Sequence, residues 1–340
     1  MTSRPRERVP SRHAAAVLDI LAAASGEPVS GEDLSRRLGV SRSAVWKRIE
    51  LLRDAGFPIL SLKSRGYILA GAEGLLIPSR IDALRRGKRV GSRIVYLAET
   101  GSTNADAVRL AEDGAPEGTV VIADSQTAGK GRLGRRWESP PGRNLYCSVI
   151  LRPPIPPQQA THLTFLSSLA VSDAARDVAG VELTLKWPND LMARGKKCAG
   201  LLNEMSAESD QVRYLVLGIG VNLNLSAADF PTDLRSLATS LSVESGQTID
   251  RNLFAARLFD ALDAWYERYW VEGFEPVRQE WTWRSWTIGK RVCVTDGGDV
   301  GGIVGRAVAI DGVGALLVET RGGWVERVLA GDVTVLEGGE

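Results

Sequence analysis

Residues 31–57, GEDLSRRLGVSRSAVWKRIELLRDAGF, leave the first seventy positions of the chain few ways to fold. Leu34 and Leu38 stand four residues apart, on one side of a short helix. Gly39-Val40 then makes a tight turn, the glycine permitting a left-handed backbone and Val40 plugging the core. Ser41 is placed as an N-cap. Residues 42–55 form the next helix, with Val45, Ile49 and Leu52 on one buried stripe. An apolar helix over 14–24 precedes this pair, and 57–69 reads as a hairpin. The order is helix, turn, helix, hairpin. It leaves Arg42, Ser43, Trp46 and Lys47 toward solvent at the first turns of the second helix, the positions that enter a major groove. Lys63, Ser64 and Arg65 precede Gly66 at the hairpin tip, where bases can meet phosphate. The segment reads as a winged helix-turn-helix that binds DNA. The alternative is a basic helical domain with solvated charges.

Charge divides the chain at the same place. The whole is near neutral, at +1. Residues 1–70 hold twelve Lys/Arg against seven Asp/Glu, a net of +5, while 71–340 hold thirty against thirty-four, a net of −4. A basic head on a mildly acidic body suggests two jobs. A second change falls near residue 281. Beyond it glycines separate short β-branched runs at 291–295, 302–310, 315–320, 324–329 and 333–336, with Gly297-Gly298 and Gly322-Gly323 as turn punctuation. The expectation is an α+β chain of three domains: a winged helix-turn-helix over 1–70, a mixed α/β body over 71–280 and a small antiparallel β-barrel or sandwich over 281–340.

Several classes are disfavoured. No stretch approaches the ~18 apolar residues of a membrane-spanning helix. The N-terminus, MTSRPRERVP, is basic without the apolar core of a secretory signal. Cys147, Cys198 and Cys293 are scattered, which fits a reduced, cytoplasmic protein. His13 and His162 are the two histidines, neither near a cysteine. Zinc sites and most histidine triads are thus poorly supported, and no metal ligand set is expected.

Chemistry concentrates after a strand at 119–123, in DSQTAGKGRLGRRW. Gly129, Gly131 and Gly134 match the dinucleotide pattern G-x-G-x-x-G, but that pattern needs a helix directly after it and an acid about twenty positions on. Here Pro140-Pro141-Gly142 block a helix and 149–158 contain no acid. The loop instead interleaves Lys130, Arg132, Arg135 and Arg136 with glycines. That suits an anion, since glycine admits backbone N–H groups and the cations neutralise phosphate. The alternative is a solvated basic loop. Further on, LKWPND (185–190) ends a strand, a turn covers 192–196, and Lys197 enters an apolar strand at 198–202. A lysine there either meets an anion, which lets it offset developing phosphoryl charge, or caps a hairpin with its ammonium in water. Residues 215–225 read as a buried strand whose Gly218 and Gly220 allow close approach of backbone or ligand.

Taken together, GKGRLGRRW (129–137), ETGSTN (99–104), Gln126, KWPND (186–190), KCAG (197–200) and GIGVN (218–222) resemble the biotin–protein ligases that also act as biotin operon repressors. The resemblance spans essentially the full length, including an SH3-like C-terminal β domain, and its most specific element is the family's GRGRxGRxW loop. It implies a biotin pocket of Ser102, Thr103, Asn104 and Gln126. Lys130, Gly131, Arg132 and Lys197 would reach biotin's carboxylate. Gly129, Lys130, Arg132, Arg135, Trp137, Lys186, Asn189 and Asn222 would meet ATP or the adenylate, with Lys197 and Arg132 catalytic. Residues 230–241 resemble the loop that orders over the adenylate. Lys130 stands where the family commonly has arginine, which keeps the charge but loses the bidentate fork.

The implied activity is formation of biotinyl-5′-AMP from biotin and Mg²⁺-ATP, then transfer to a lysine of the biotin carboxyl carrier protein of acetyl-CoA carboxylase. The adenylate would act as corepressor, with a homodimer on operator DNA. Three rivals stand beside this reading: a ligase whose head no longer binds DNA, a ligand sensor without activity, and a lipoate–protein ligase. The intact loop and Lys197 count against the sensor. The company of KWPND, the glycine–arginine loop and the head counts against lipoate.

Overall fold

The computed structural model describes residues 12–71, 74–295 and 302–336. Gly297-Gly298 and the basic N-terminal decapeptide therefore lie outside the described residues. The head contains α1 (Arg12–Ala23), α2 (Gly31–Leu38), α3 (Arg42–Asp54), β1 (Ile59–Leu62) and β2 (Gly66–Leu69). Ser41 caps α3, its side chain accepting from the Ala44 N–H at 3.2 Å. Ser30 does the same for α2 at Asp33, a cap the sequence reading did not name. Gly39 takes the left-handed conformation, φ 62°, that turns α2 into α3. Leu34, Val45, Ile49 and Leu52 are buried against Ala14, Val17, Leu18 and Leu21 of α1. β1 and β2 pair antiparallel from Ile59↔Leu69 to Leu62↔Gly66, which puts Lys63, Ser64 and Arg65 at the tip.

The body follows with α4 (Pro78–Leu84), β3 (Arg93–Thr100), α5 (Thr103–Glu112), β4 (Thr119–Gln126), β5 (Leu145–Leu151), α6 (Ala160–Ala179), β6 (Thr184–Lys186), β7 (Asp190–Ala193), β8 (Lys196–Glu208), β9 (Gln211–Val221), α7 (Leu241–Ser245), α8 (Arg251–Glu272) and α9 (Glu275–Trp283). Its seven strands lie in the order β3-β4-β5-β9-β8-β7-β6. β3 and β4 run parallel around α5, and the other neighbours are antiparallel. Every residue of β5 is buried, because both faces of the sheet are covered. Alternation sorts the side chains. Val120 and Ile122 of β4 join the large core with α6 and α8, while Val121 joins a smaller one under α5 with Val95, Ala107 and Val216.

Two sequence boundaries move. The predicted turn at 192–196 is only Arg194-Gly195, since Met192 and Ala193 belong to β7 and Lys196 to β8. The strand expected over 215–225 stops at Val221. Asn222 and Asn224 lie past its end, where their amides bond loop backbone at Thr239 and Ile249.

The last unit is a five-stranded antiparallel sheet of β10 (Arg291–Thr295), β11 (Ile303–Ile310), β12 (Leu316–Thr320), β13 (Val325–Val328) and β14 (Asp332–Val335), ordered β13-β12-β11-β10-β14. It is clamped to the body at its β11–β12 turn. There Gly314 O accepts from Trp187 Nε1 at 3.1 Å, and Val313 O accepts from Thr161 Oγ1 at 2.7 Å. No helix among the described residues is long and apolar enough to cross a membrane.

Candidate functional site

The α5 side of the sheet changes character along β9. Positions 214, 216, 218 and 220 share one face, and they run Tyr, Val, Gly, Gly. Register places Gly200 opposite Gly220 and Ser148 opposite Gly218. Where side chains stop, a cavity of about 780 Å³ begins.

One wall comes from the start of α5. Ser102, Thr103 and Asn104 are buried. Gln126 Oε1 accepts from the Thr103 N–H at 2.9 Å and its Nε2 donates to Ser139 Oγ at 2.9 Å. The Ser148 hydroxyl contacts Thr103 Oγ1 at 2.8 Å and Asn104 Oδ1 at 2.6 Å, and Asn104 Nδ2 donates to Leu202 O. Ser148 was missed in the sequence because it sits in a fully buried apolar strand, with no local signal.

The second wall is the glycine–arginine loop. It makes a single 3₁₀ turn at Arg132–Gly134 and returns through a Lys130↔Arg136 bridge, with no helix after it. The loop therefore lacks the helix that the dinucleotide pattern requires. Trp137 packs over Gly200 and Gly220, and its buried Nε1 has no hydrogen-bond partner among the described residues. A buried donor without an acceptor at a cavity wall calls for a ligand or water. Gly129 is buried in the same loop beside the cavity wall, and a side chain there would strike Trp137 O and Ser139 Oγ at 2.5 and 2.8 Å.

Cations converge on this space. Lys197 lines it, its side chain about a third exposed, with Nζ 2.7 Å from Asp190 Oδ1 and 5.4 Å from the centre of the Trp137 ring. Arg132 donates to Asn189 Oδ1 at 3.4 Å and to Gly331 O at 3.2 Å. Burial pulls the Arg132 guanidinium below its ordinary value, opposed by Asp332 and Asp190. Burial likewise lowers Lys186, with Asp190 opposing, and its ammonium lies 5.7 Å over the Trp286 ring. Lys130, Gly131, Arg135, Arg136, Asn189 and Asn222 also line the cavity. The Asn222 side chain is committed to Thr239 O and Asn144, so it holds the loop 230–241 rather than offering free donors. That loop runs along the cavity mouth through Phe230, Leu234, Leu237 and Ala238. Lys197 N donates to Leu237 O at 2.8 Å.

The C-terminal sheet supplies a third side the sequence did not suggest. Asp332–Val335 line the cavity and Asp332 pairs with Arg135. These contacts join residues almost two hundred positions apart, which no local pattern reports. Among the described residues no group of three His, Cys, Asp or Glu side chains could hold a metal ion.

In the head, Arg42, Ser43, Trp46 and Lys47 are exposed along one end of α3, and Lys63 and Arg65 are exposed at the hairpin tip. Trp46 is 54% exposed, unusual for tryptophan. Arg42 pairs with Glu32 at 2.6 Å, an exposed pair that costs little to break.

Comparison with known proteins agrees with both halves. Residues 14–68 match a helix-turn-helix domain model, 97–222 the biotin/lipoate A/B protein ligase family, and 287–336 the biotin protein ligase C-terminal domain. A biotin protein ligase from Aquifex aeolicus, solved in complex with biotin and ATP, superposes with a TM-score of 0.62 at 28% identity, covering 72% of this chain and 99% of that one. The class is thus a biotin–protein ligase body with a helix-turn-helix head. The bifunctional ligase/repressor BirA of Bacillus subtilis is 38% identical over 93% of this chain and 97% of its own. That of Escherichia coli is 32% identical over 92% and 94%. The chain belongs to this bifunctional biotin ligase/repressor family.

Proposed function

We propose that the protein is an ATP-dependent biotin–[acetyl-CoA-carboxylase] ligase and a biotin-responsive transcriptional repressor. The observation that carries the enzymatic half is the convergence of Lys130, Arg132, Lys186 and Lys197 on one cavity floored by glycines. A carboxylate is a poor electrophile. Its oxygen attacks the α-phosphorus of ATP, the bond to pyrophosphate breaks, and biotinyl-5′-AMP remains. Lys197 and Arg132 offset the charge that builds on the phosphoryl oxygens. Ser102, Thr103, Asn104 and Gln126 orient biotin, and Trp137, Lys186, Arg135 and Asn189 border the nucleotide. An acceptor lysine of the biotin carboxyl carrier protein then attacks the acyl carbon and AMP leaves. Mg²⁺ enters with ATP. The cavity offers separate carboxylates at Glu138, Asp190, Asp229 and Asp332, which fits a cation held chiefly by substrate phosphates.

The regulatory half rests on the exposed face of α3 and the basic hairpin tip. In this reading 1–70 is the DNA-binding head, 71–280 the catalytic domain and 281–340 the C-terminal domain, in a cytoplasmic protein. The adenylate-bound form dimerises and occupies two operator half-sites. Binding is salt-dependent through Lys47, Lys63 and Arg65. One experiment tests both halves: pyrophosphate release and carrier biotinylation are followed beside a gel shift on biotin-operator DNA, with and without biotin and ATP. Catalysis with a ligand-enhanced shift supports the proposal. Catalysis with no shift at any salt selects the ligase whose head no longer binds DNA, and no pyrophosphate release overturns the enzymatic reading.

A further inference from the structure

Behind the cavity lies a buried ion pair that the reaction does not use. Arg251, the first residue of α8, is 2% exposed. Its Nη1 lies 2.7 Å from Asp124 Oδ1 on β4 and donates to Gly74 O at 2.6 Å. Its Nε donates to Asn144 O at 2.9 Å. Each of these contacts leads somewhere different. Gly74 belongs to the short connection between head and body. The next residue, Asn252, holds the same connection twice: its Oδ1 accepts from the Ile77 N–H at 2.7 Å and its Nδ2 donates to Leu75 O at 2.8 Å.

Asp124 Oδ2 accepts from the Gly142 N–H at 3.0 Å, where the loop bearing the glycine–arginine segment rejoins the sheet. Asn144, wholly buried, accepts at Oδ1 from the Leu223 N–H at 3.0 Å, and its amide meets that of Asn222. Asn222 in turn holds Thr239 in the loop at the cavity mouth. One guanidinium therefore anchors the bases of both loops that frame the cavity, and the connection to the head as well. The head also touches this sheet directly, with Phe57 stacked on Tyr96 of β3 at 4.7 Å.

We infer that Arg251, with Asp124, is a positioning residue that couples ligand occupancy of the cavity to the docking of the head on the body. The inference rests on the ligand reading above and deepens it by naming the element through which the head senses the site. Two nitrogens of one rigid plane divide the three acceptors, Nη1 taking Asp124 and Gly74 O and Nε taking Asn144 O, while Nη2 is buried with no partner among the described residues; a lysine keeps the charge but offers a single nitrogen on a flexible stem, which cannot stand at both places. Ligand binding that orders the two loops thereby fixes Asn144 and Asp124. Through Arg251 it also fixes residues 74–77.

The test is hydrogen exchange on the full chain, with and without biotin plus ATP, in the wild type, Arg251→Lys and Asp124→Asn. Calorimetry establishes binding in each. The amide followed is that of Ile77, on the connection and outside the cavity. In the wild type the ligands slow its exchange tenfold or more. In Arg251→Lys, which still binds them, the slowing falls below threefold. Asp124→Asn, which keeps the acceptor but not the charge, falls between the two and carries the test if the lysine variant fails to fold. Equal slowing in the wild type and both variants, or none in a wild type that binds, overturns the coupling. A wild type that gives no heat with biotin or ATP overturns the ligand reading instead.

Discussion

The packing of Trp137 over two glycines makes the cavity wall testable by adding one methyl group. An ideal Cβ at Gly220 would lie 2.7 Å from Trp137 Cε2 and Nε1 and 3.0 Å from Cζ2. Carbon atoms pack best at about 3.5–4.0 Å, so the indole must retreat by roughly 1 Å. If it stays, Gly220→Ala overpacks the wall at a cost of about 1–3 kcal/mol in stability. If it swings away, the same energy is charged to ligand binding, which is roughly a 5- to 150-fold weaker Kd. Gly200→Ala is milder, its Cβ meeting Trp137 Cζ3 at 3.0 Å and the movable end of Lys197 at 3.2 Å. Gly101→Ala is the control, with nothing within 4 Å. Thermal melting and calorimetric titration with biotin and ATP separate the two routes. The expected order of total loss is Gly220→Ala, then Gly200→Ala, then Gly101→Ala. A Gly220→Ala protein that melts and binds like the control refutes the idea that these glycines exist to seat Trp137.

Two further outcomes follow from charge. Lys197→Met removes the ammonium between Asp190 and the Trp137 ring, so pyrophosphate release falls about 10²–10³-fold; release within threefold of wild type shows that Lys197 is not catalytic. His162, on α6, contacts the Tyr269 hydroxyl and Gly312 O, both at 3.1 Å, and stacks on Phe274. Burial pushes it down to about 4, against smaller opposing effects of Gly312 O and Asp311. It is neutral in the fold but takes a proton near 6.5 once unfolded. Its contribution is therefore complete above pH 6.5 and is lost as pH falls toward 4, on the order of 3 kcal/mol over that window. His162→Gln flattens that part of the melting curve against pH, and an unchanged acid slope contradicts the assignment.

What the sequence disclosed follows the range of the interactions involved. The head was readable because its determinants are local: a serine cap, a left-handed glycine and an apolar stripe within thirty residues. The same holds for the C-terminal strands, whose breaks are glycines. Within the body, Gly218 and Gly220 point to a close approach, but not to Asn104 as the group that approaches the first and Trp137 the second, since each lies more than eighty residues from its glycine. Lys197 was ambiguous for a related reason. Whether a lysine at a strand entrance caps a hairpin or faces a cavity depends on what lies across the sheet, here Asp190 and Trp137. Gly129 shows a role that a motif does not report: its missing side chain leaves room for Trp137 O.

The C-terminal sheet shows why a boundary in sequence is not a boundary in function. Its β11–β12 turn is held by Trp187 and Thr161 on one side of the body, and Gly331 and Asp332 hold Arg132 and Arg135 on another. The loop that carries Lys130, Arg132, Arg135 and Arg136 is thus braced by the C-terminal sheet. An exposed pair such as Arg135–Asp332 contributes little to stability. Its consequence is positional: Arg135 takes the direct contact with Asp332, so the hydrogen bonds of the partly desolvated Arg132 go to neutral acceptors, Asn189 and the Gly331 carbonyl, while Asp332 and Asp190 act on it only through space. A carboxylate bonded directly to Arg132 would compete with an anion entering the cavity, and these neutral acceptors do not.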